Sequence, residues 1–464
     1  MSRDFTSRSG WISSGENVVP LRVSVSGVRG VVGDGLDATV VMRWAAAFGT
    51  WLPPGPVVVG RDTRPSGDMV LHAVAAALMS TGHDVWDIGI ATTPTTEMAV
   101  ADSEAVGGII ITASHNPQPW NALKFLEGRG LFLTASQNHD LAALLDCDGG
   151  HVAADSLGQL ETRSGADVAH IAGILALPWL DPEAIRQRNL RVVVDAVEGA
   201  GGSIVPALLA ELGVECMPLN CGLSGRFPHD PEPTPAHLAE LGAAVRDAGA
   251  DLGFAVDPDV DRLALVDDNG VALSEELTLV MAVDFLLGKQ NGPVVVNLST
   301  TRLIEEVAGR HGAEVLRTPV GEANVVETLM ARDGVIGGEG NGGVIYPALH
   351  PGRDALVGIA MILQLLTERE ASLTDLVAAL PPVVMIKEKV ANDMLPTGEE
   401  LALLLASLGP GAVDDRDGLK WIGEDAWVHV RPSNTEPVVR IIAEACDTET
   451  AQRLISRIRA GRSA

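Results

Sequence analysis

A short valine run that ends in a polar turn occurs three times in this chain, and it constrains the fold more than any other feature. The first instance opens PVVVGRDTRPSGDMVLHAVAAALMSTGHDVWDIGI at Pro56, the second RVVVDAVEGAGGSIVPALLAELGVECMPLN at Arg191, and the third PVVVNLSTTRLIEEVAGRHGAEVLRTPV at Pro293. A valine run without polar alternation reads as a strand buried on both faces. Each run passes through a polar or glycine-containing turn into a small-residue helical stretch, a glycine near its end, and a second short apolar strand. The shared order predicts three similar α/β domains in tandem, each a mixed sheet covered by helices.

From Val383 the pattern changes. Short strands (VVMIKEKV, WVHVRP, VVRIIAEAC), a helical segment near Gly398–Leu408 and a terminal helix from Thr448 that buries Leu454 and Ile458 predict a smaller α+β domain. Boundaries near Gly165, Gly270 and Pro382 divide the chain into 1–165, 166–270, 271–382 and 383–464. With 464 residues the chain is long enough for such a division.

The formal net charge of -28 repels phosphate backbones and anionic lipids, which excludes nucleic acid and membrane surfaces as partners. The first residues carry no signal-like apolar stretch. The apolar run LVMAVDFLLG is interrupted by Asp284 and ends at Gly288, too short to span a bilayer. A cytoplasmic location is expected. Cys147, Cys216, Cys221 and Cys446 show no paired metal spacing and are expected to be reduced and partly buried. An acidic chain that handles an anion must gather its few positive charges locally, so the placement of Arg and Lys in loops matters.

Five loops carry candidate chemistry. In GGIIITASHNP, Gly107 to Pro117, an apolar strand ends in a polar turn, placing Ser114 where α/β sheets hold ligands. An ordinary capping serine is the alternative. In DLGFAVDPDVDRLALVDDNG, Asp257, Asp259 and Asp261 alternate between apolar strands. Like charges so close are costly unless a divalent cation joins them, and all-oxygen donors suit Mg²⁺ or Ca²⁺ better than Zn²⁺. An EF-hand is excluded, because its sixth and twelfth positions hold Arg262 and Asp268, and the flanks are strands. Three carboxylates leave coordination positions open, which a phosphoryl group on a serine would fill.

In VHVRPSNTEPVVRIIAE, Arg431, Ser433, Asn434, Thr435 and Arg440 concentrate donors for an anion, or else form a tight hairpin with a surface arginine. IGGEGNGGVIYP surrounds Glu339 and Asn341 with glycines that allow a close backbone approach; these side chains suit vicinal hydroxyls, with a flexible turn as the alternative. Finally SVSGVRGVVG, GRDTRPSG and WNALKFL bring Arg29, Arg61, Arg64 and Lys124 into the domain of Ser114, a possible positive lining for a phosphorylated site.

The motifs SGVRG, TASHNP, DPDVDR, GEGNGG and RPSNTEP, in this order over nearly the whole chain, resemble those of the α-D-phosphohexomutases, and of phosphoglucosamine mutases and phosphomannomutases most closely. The resemblance implies four domains around a central cleft, three alike and the fourth distinct. It implies Ser114 as the phosphorylated catalytic serine, with His115, Arg29 and Lys124 completing the catalytic set. One Mg²⁺ per chain would be held by Ser114, Asp257, Asp259 and Asp261. Glu339 and Asn341 would recognise the sugar, Arg262 would steady the phosphoserine, and Arg431, Ser433, Asn434, Thr435 and Arg440 would hold the non-reacting phosphate. The implied reaction interconverts hexose 6-phosphate and hexose 1-phosphate through a hexose 1,6-bisphosphate, with glucosamine phosphate ahead of mannose or glucose phosphate. The implied partner is this small sugar phosphate, and the chain is expected to be a monomer or homodimer.

One departure stands out. The family's sugar loop commonly ends in His, and Gly343 occupies that place. His350 is the expected substitute imidazole. A serine phosphomonoesterase and a non-catalytic sugar-phosphate-binding protein are the rival readings; the first leaves a second phosphate loop unexplained, and the second has no need of Ser114 and three carboxylates.

Overall fold

The computed structural model describes residues 21–24, 27–146, 150–391, 398–432 and 438–461. Among them four separate sheets form, of eight, four, five and five strands. Each valine run is a central strand. Val57–Arg61 lies parallel between Val85–Ile90 and Gly107–Ile111. Arg191–Asp195 lies parallel between Glu215–Leu219 and Leu252–Val256. Val294–Asn297 lies parallel between Val315–Thr318 and Ile336–Glu339. Branched side chains suit these positions because both faces are covered by helices, and every valine of the three runs is buried.

After its third parallel strand each sheet turns back. Trp120–Glu127, Leu263–Val266 and Gly343–Tyr346 pair antiparallel with the strands that precede them. The connecting loop therefore falls at the carboxyl end of the parallel strands in all three domains, which is where open α/β sheets bind ligands. Those loops are TASHNP, DPDVDR and GEGNGG. The tandem pattern thus repeats the candidate site as well as the scaffold.

The fourth sheet is antiparallel throughout, in the order Val384–Ala391, Val438–Ala445, Ala426–Pro432, Leu419–Ile422, Ala412–Asp414. Helices Gly398–Ala406 and Thr448–Ala460 accompany it, and the latter buries Leu454 and Ile458 as its spacing predicts. The strands Leu160–Thr162, Ala412–Asp414 and Leu419–Ile422 were not foreseen, being three or four residues long and without a long apolar run.

The first and fourth domains have their own cores. The second and third share one, built around the helices Glu276–Leu287 and Ala355–Arg369. The second of these is buried over almost its whole circumference, from Ala355 to Thr367. Asp354 caps it by accepting from Leu356 N at 2.8 Å. Cys216 and Cys221 are partly buried, but Cys446 is exposed, contrary to expectation, because it lies in the short link between the last strand and the terminal helix. Cys147 lies outside the described residues. No helix among the described residues is long and apolar enough to cross a membrane.

Ile359 is fully buried in the shared core. Ile359→Ala is expected to destabilise the second and third domains together by about 2–5 kcal/mol. Urea denaturation followed by domain-resolved limited proteolysis should show both losing protection at the same lowered midpoint.

Candidate active site

Ser114 follows the strand Gly107–Ile111 and sits in the left-handed region at φ 48°. A non-glycine residue held there stores strain of order 1–3 kcal/mol, and the surroundings must impose it. They do so through Thr112, Asp62 and Arg64. Thr112 Oγ1 accepts from Ser114 N at 3.0 Å and donates to Asp62 Oδ2 at 2.6 Å. Arg64, almost wholly buried, donates to the carbonyls of Ser114 (2.6 Å), Asn116 (2.6 Å), Pro117 (2.8 Å) and Trp120 (2.9 Å). Its expected place in a positive lining is therefore corrected: its charge is spent on backbone oxygens, and Asp62 holds its Nε at 3.0 Å. Arg61 likewise pairs with Asp68 at 2.8 Å.

The constrained turn aims Ser114 across to the second domain. Its hydroxyl donates to Asp257 Oδ2 at 2.9 Å, over a sequence separation of 143 residues. Asp257 opens the acidic loop, whose tight turn places Val260 at φ 62°, a rare conformation for a β-branched residue. The turn is sealed by Val260 N to Asp257 O (3.1 Å) and Ala355 N to Val260 O (3.1 Å). As a result the carboxylates of Asp257, Asp259 and Asp261 all point to one place, with one oxygen of each within 4.8 Å of the others.

Two cations hold the outer carboxylates. Lys124 Nζ donates to Asp259 Oδ2 at 2.7 Å and lies 3.8 Å from Asp261. Arg353 Nη2 donates to Asp261 Oδ2 at 2.6 Å. Thr93 donates its hydroxyl to Asp259 Oδ2 (2.6 Å) and its backbone N–H to the Asp259 backbone carbonyl (2.8 Å). The other oxygens, Asp259 Oδ1 and Asp261 Oδ1, are buried without any donor. Buried carboxylate oxygens are rarely left so, and hard oxygens facing one point are what a divalent cation requires. The residues therefore fit a metal ion. Burial, with Asp261 and Asp259 as like charges beside it, raises the Asp257 carboxyl well above its usual range. At Asp259 burial acts the same way, but Lys124 and Thr93 outweigh it and hold the carboxyl low. Burial would discharge Lys124, yet Asp259 and Asp261 raise its pKa and keep the ammonium charged.

Positive charge surrounds the serine. His115 Nδ1 lies 3.3 Å from Ser114 Oγ. Burial, then the nearby Arg262, Arg29 and Arg440, hold its ring well below the usual imidazole range, so the ring is neutral. Of these, Arg440 stands on the strand Val438–Ala445 of the fourth domain. Arg29 donates to Asn116 Oδ1 at 2.5 Å, and burial lowers its pKa to about 10, which leaves it charged at neutral pH. Arg262 lies 3.4 Å from Glu232, with Nε unpartnered and 3.7 Å from Asp261.

The glycine-rich loop faces the acidic one. Glu339 is buried and accepts from Asn297 (2.9 Å), Gly321 N (3.0 Å) and Arg353 (3.1 Å). Asn341 Oδ1 accepts from Gly343 N at 3.2 Å. Lys387, on the first strand of the fourth domain, donates to Gly340 O (3.3 Å) and to Glu276 (2.8 Å), tying that domain to the loop. Arg431 is buried, donates to Asp417 at 2.9 Å, and stands opposite Arg440 in the strand register. Two arginines facing across a strand pair are unfavourable unless an anion lies between them. Ser433, Asn434 and Thr435 lie outside the described residues. His350 does not take the role expected of it: its Nε2 is turned to Glu97 Oε2 at 3.1 Å, without a well-directed hydrogen bond, and no described contact joins it to Ser114.

The spacing of motifs did not point to Thr93, Asp62, Glu322 or Arg353. Thr93-Pro94 at a helix start and the Arg353-Asp354 pair before a helix carried a signal for helix ends only.

A serine aimed at a three-carboxylate cation site, ringed by arginines and faced by a glycine-rich loop, is the site of a phosphoryl-transferring enzyme. Four family models describing phosphoglucomutase/phosphomannomutase match in succession: α/β/α domain I over residues 21–148, domain II over 168–270, domain III over 274–384 and the C-terminal domain over 385–461. A "Phosphoglucomutase/phosphomannomutase" of Thermococcus kodakarensis is 36% identical, covering 92% of this chain and 95% of that protein. A "Probable phosphoglucosamine mutase" of Methanopyrus kandleri is 35% identical, covering 92% and 95%. The crystal structure of a phosphoglucomutase/phosphomannomutase family protein from Burkholderia thailandensis superposes with a TM-score of 0.83 at 27% identity, covering 95% of this chain and 96% of that one. The chain belongs to the phosphoglucomutase/phosphomannomutase family, the α-D-phosphohexomutases, and is an enzyme of the isomerase class.

Arg64→Lys keeps a charge but cannot reach four carbonyls at once. It is expected to lower turnover about 100-fold by misplacing Ser114. A coupled mutase assay would measure this, with circular dichroism showing that the fold is retained.

Proposed function

We propose that this chain interconverts hexose 6-phosphate and hexose 1-phosphate, with glucosamine phosphate as the preferred substrate, through a phosphoserine at Ser114. The observation that carries the reading is the 2.9 Å contact of Ser114 Oγ with Asp257 Oδ2, which joins a hydroxyl of one domain to the acidic loop of another. In the first half-reaction a hydroxyl of the bound hexose monophosphate attacks the phosphorus of phosphoserine 114. The bond from phosphorus to Ser114 Oγ breaks, and a hexose 1,6-bisphosphate forms. The proton lost by the sugar hydroxyl must reach a base, and Ser114 Oγ must regain one. The neutral His115 ring, 3.3 Å from Ser114 Oγ, can carry it between them. After the sugar reorients, its other phosphoryl group returns to Ser114 by the reverse path.

Lys124 is charged and bound to Asp259, so it acts as an electrostatic partner while that ion pair holds. Arg29, Arg262 and Arg440 would stabilise phosphoryl oxygens, and Arg431 with Ser433, Asn434 and Thr435 would grip the distal phosphate. Asp257, Asp259 and Asp261 would hold one Mg²⁺ with a serine phosphate oxygen, and the ion would neutralise charge on the transferring group. Glu339, kept ionised because Arg353 and Asn297 outweigh its burial, can only accept hydrogen bonds, which suits sugar hydroxyls or an ammonium. The cut points 165, 270 and 382 belong to this reading, as each separates one loop-bearing unit from the next.

A mannose or glucose phosphate is the second reading, because the Thermococcus relative at 36% identity carries the name phosphoglucomutase/phosphomannomutase. Assays on glucosamine, mannose and glucose 6-phosphates, each primed with its bisphosphate, are expected to show the highest kcat/KM with glucosamine phosphate. Ser114→Ala is expected to reduce turnover of all three below detection with the fold intact. A well-folded, active alanine variant overturns the mechanism, and preference for mannose phosphate overturns the sugar assignment alone.

A further inference from the structure

Arg353 sits where the acidic and glycine-rich loops meet. It ends the strand His350–Arg353, and its side chain is nine-tenths buried. Its guanidinium reaches three carboxylates on three separate segments: Asp261 Oδ2 at 2.6 Å, Glu339 Oε2 at 3.1 Å and Glu322 Oε2 at 3.1 Å. Glu322 also accepts from the Arg353 backbone N–H at 2.7 Å, which fixes the arginine at both ends. The planar fork of donors is what allows one side chain to serve several carboxylates.

The stem of this arginine lies over Gly343. A Cβ built on Gly343 would stand 2.4 Å from Arg353 Cδ and 3.0 Å from Cγ. Those atoms cannot swing aside while the guanidinium is held by three partners. Gly343 pairs with Glu339 in a regular antiparallel ladder, and it is not among the positive-φ glycines, whereas its neighbour Gly342 has φ 88°. Its backbone would accept any residue, so the lack of a side chain makes room for the arginine.

Each outer carboxylate of the acidic loop has one oxygen tied to a cation and one without a donor. Lys124 holds Asp259 by Oδ2 and leaves Oδ1; Arg353 does the same for Asp261. Among the described residues Lys124 reaches no carboxylate outside the acidic loop within 4 Å, but Arg353 continues to the glycine-rich loop. We propose that Arg353, seated on Gly343, is a positioning residue that sets the cation ligand Asp261 and the sugar-loop carboxylate Glu339 against each other, so that cation affinity and hexose binding depend on the same side chain. The sugar half of this proposal rests on the phosphohexomutase reading, and the cation half rests on the acidic loop alone.

Four variants test it: Arg353→Gln, Arg353→Lys, Gly343→Ala, and the Gly343→Ala/Arg353→Gln double. Mn²⁺ binding is measured by calorimetry on the full-length chain without substrate. KM and kcat are measured separately with hexose phosphates. Arg353→Gln is expected to weaken Mn²⁺ about 10- to 100-fold and to raise the sugar-phosphate KM. Gly343→Ala removes no polar group, yet it is expected to shift both constants in the same direction by displacing the stem. The double variant should be no worse than the more severe single, because both act through one contact. Arg353→Lys should restore only part of the loss. If Arg353→Gln does not fold, Gly343→Ala carries the test alone. Wild-type Mn²⁺ and sugar constants in folded Gly343→Ala, or strictly additive losses in the double, overturn the proposal. If Mn²⁺ affinity responds as expected but the wild-type chain turns over no hexose phosphate, the cation half stands and the mutase reading fails.

Discussion

Three carboxylates buried in one short loop set the terms for the rest of the molecule. Each buried ionised group costs several kcal/mol unless it is matched, and Asp257, Asp259 and Asp261 are all fully buried. The second domain, which supplies them, does not match them alone. Lys124 and Ser114 come from the first domain and Arg353 from the third. The acidic loop is thus the point at which three sheets are tied together. Even so, two of its oxygens are left without donors. That surplus of negative charge is what a cation brought from solution would answer.

Strain is placed at the same point. Ser114 and Val260 both adopt left-handed backbone conformations, one on each side of the contact. Neither is glycine, so each must be held there: Ser114 by Arg64 and Thr112, Val260 by Ala355 and the turn of the aspartates. The helix Ala355–Arg369, buried in the core shared by the second and third domains, then anchors both the acidic loop and Arg353. Packing energy far from the cleft thereby holds the geometry inside it. The fourth domain joins the arrangement through Lys387 on the glycine-rich loop, Asp417 bonded to Val320 N, and the buried Lys420 bonded to the Leu298 carbonyl.

The scaffold was legible because valine runs and turn residues are local signals, and the three loops lie at equivalent ends of equivalent strands. Ser114 and the aspartates were legible for the same reason: unusual residues at a strand end stand out against an apolar background. What was not legible is the matching between loops. Arg64 reads as a free cation in GRDTRPSG, yet it binds four carbonyls 50 to 56 residues away. Arg353 reads as a helix-start residue, yet it joins Asp261, Glu339 and Glu322. His350 reads as an available imidazole and is turned to Glu97 instead. Charge type is written in sequence, but its partner is decided by tertiary approach, and no periodicity reports it.

The central claim is that Ser114 and the three aspartates share one cation. Phosphorus NMR of the serine-phosphorylated chain during Mn²⁺ titration tests it most directly, because paramagnetic broadening of a phosphorus nucleus falls with the sixth power of its distance from the ion and is greatest when the phosphate is itself a ligand. One equivalent of Mn²⁺ is predicted to broaden the phosphoserine resonance beyond detection in the native chain and to leave it sharp in Asp257→Asn. A phosphoserine signal that stays sharp while the acidic loop is saturated with Mn²⁺ would contradict the account.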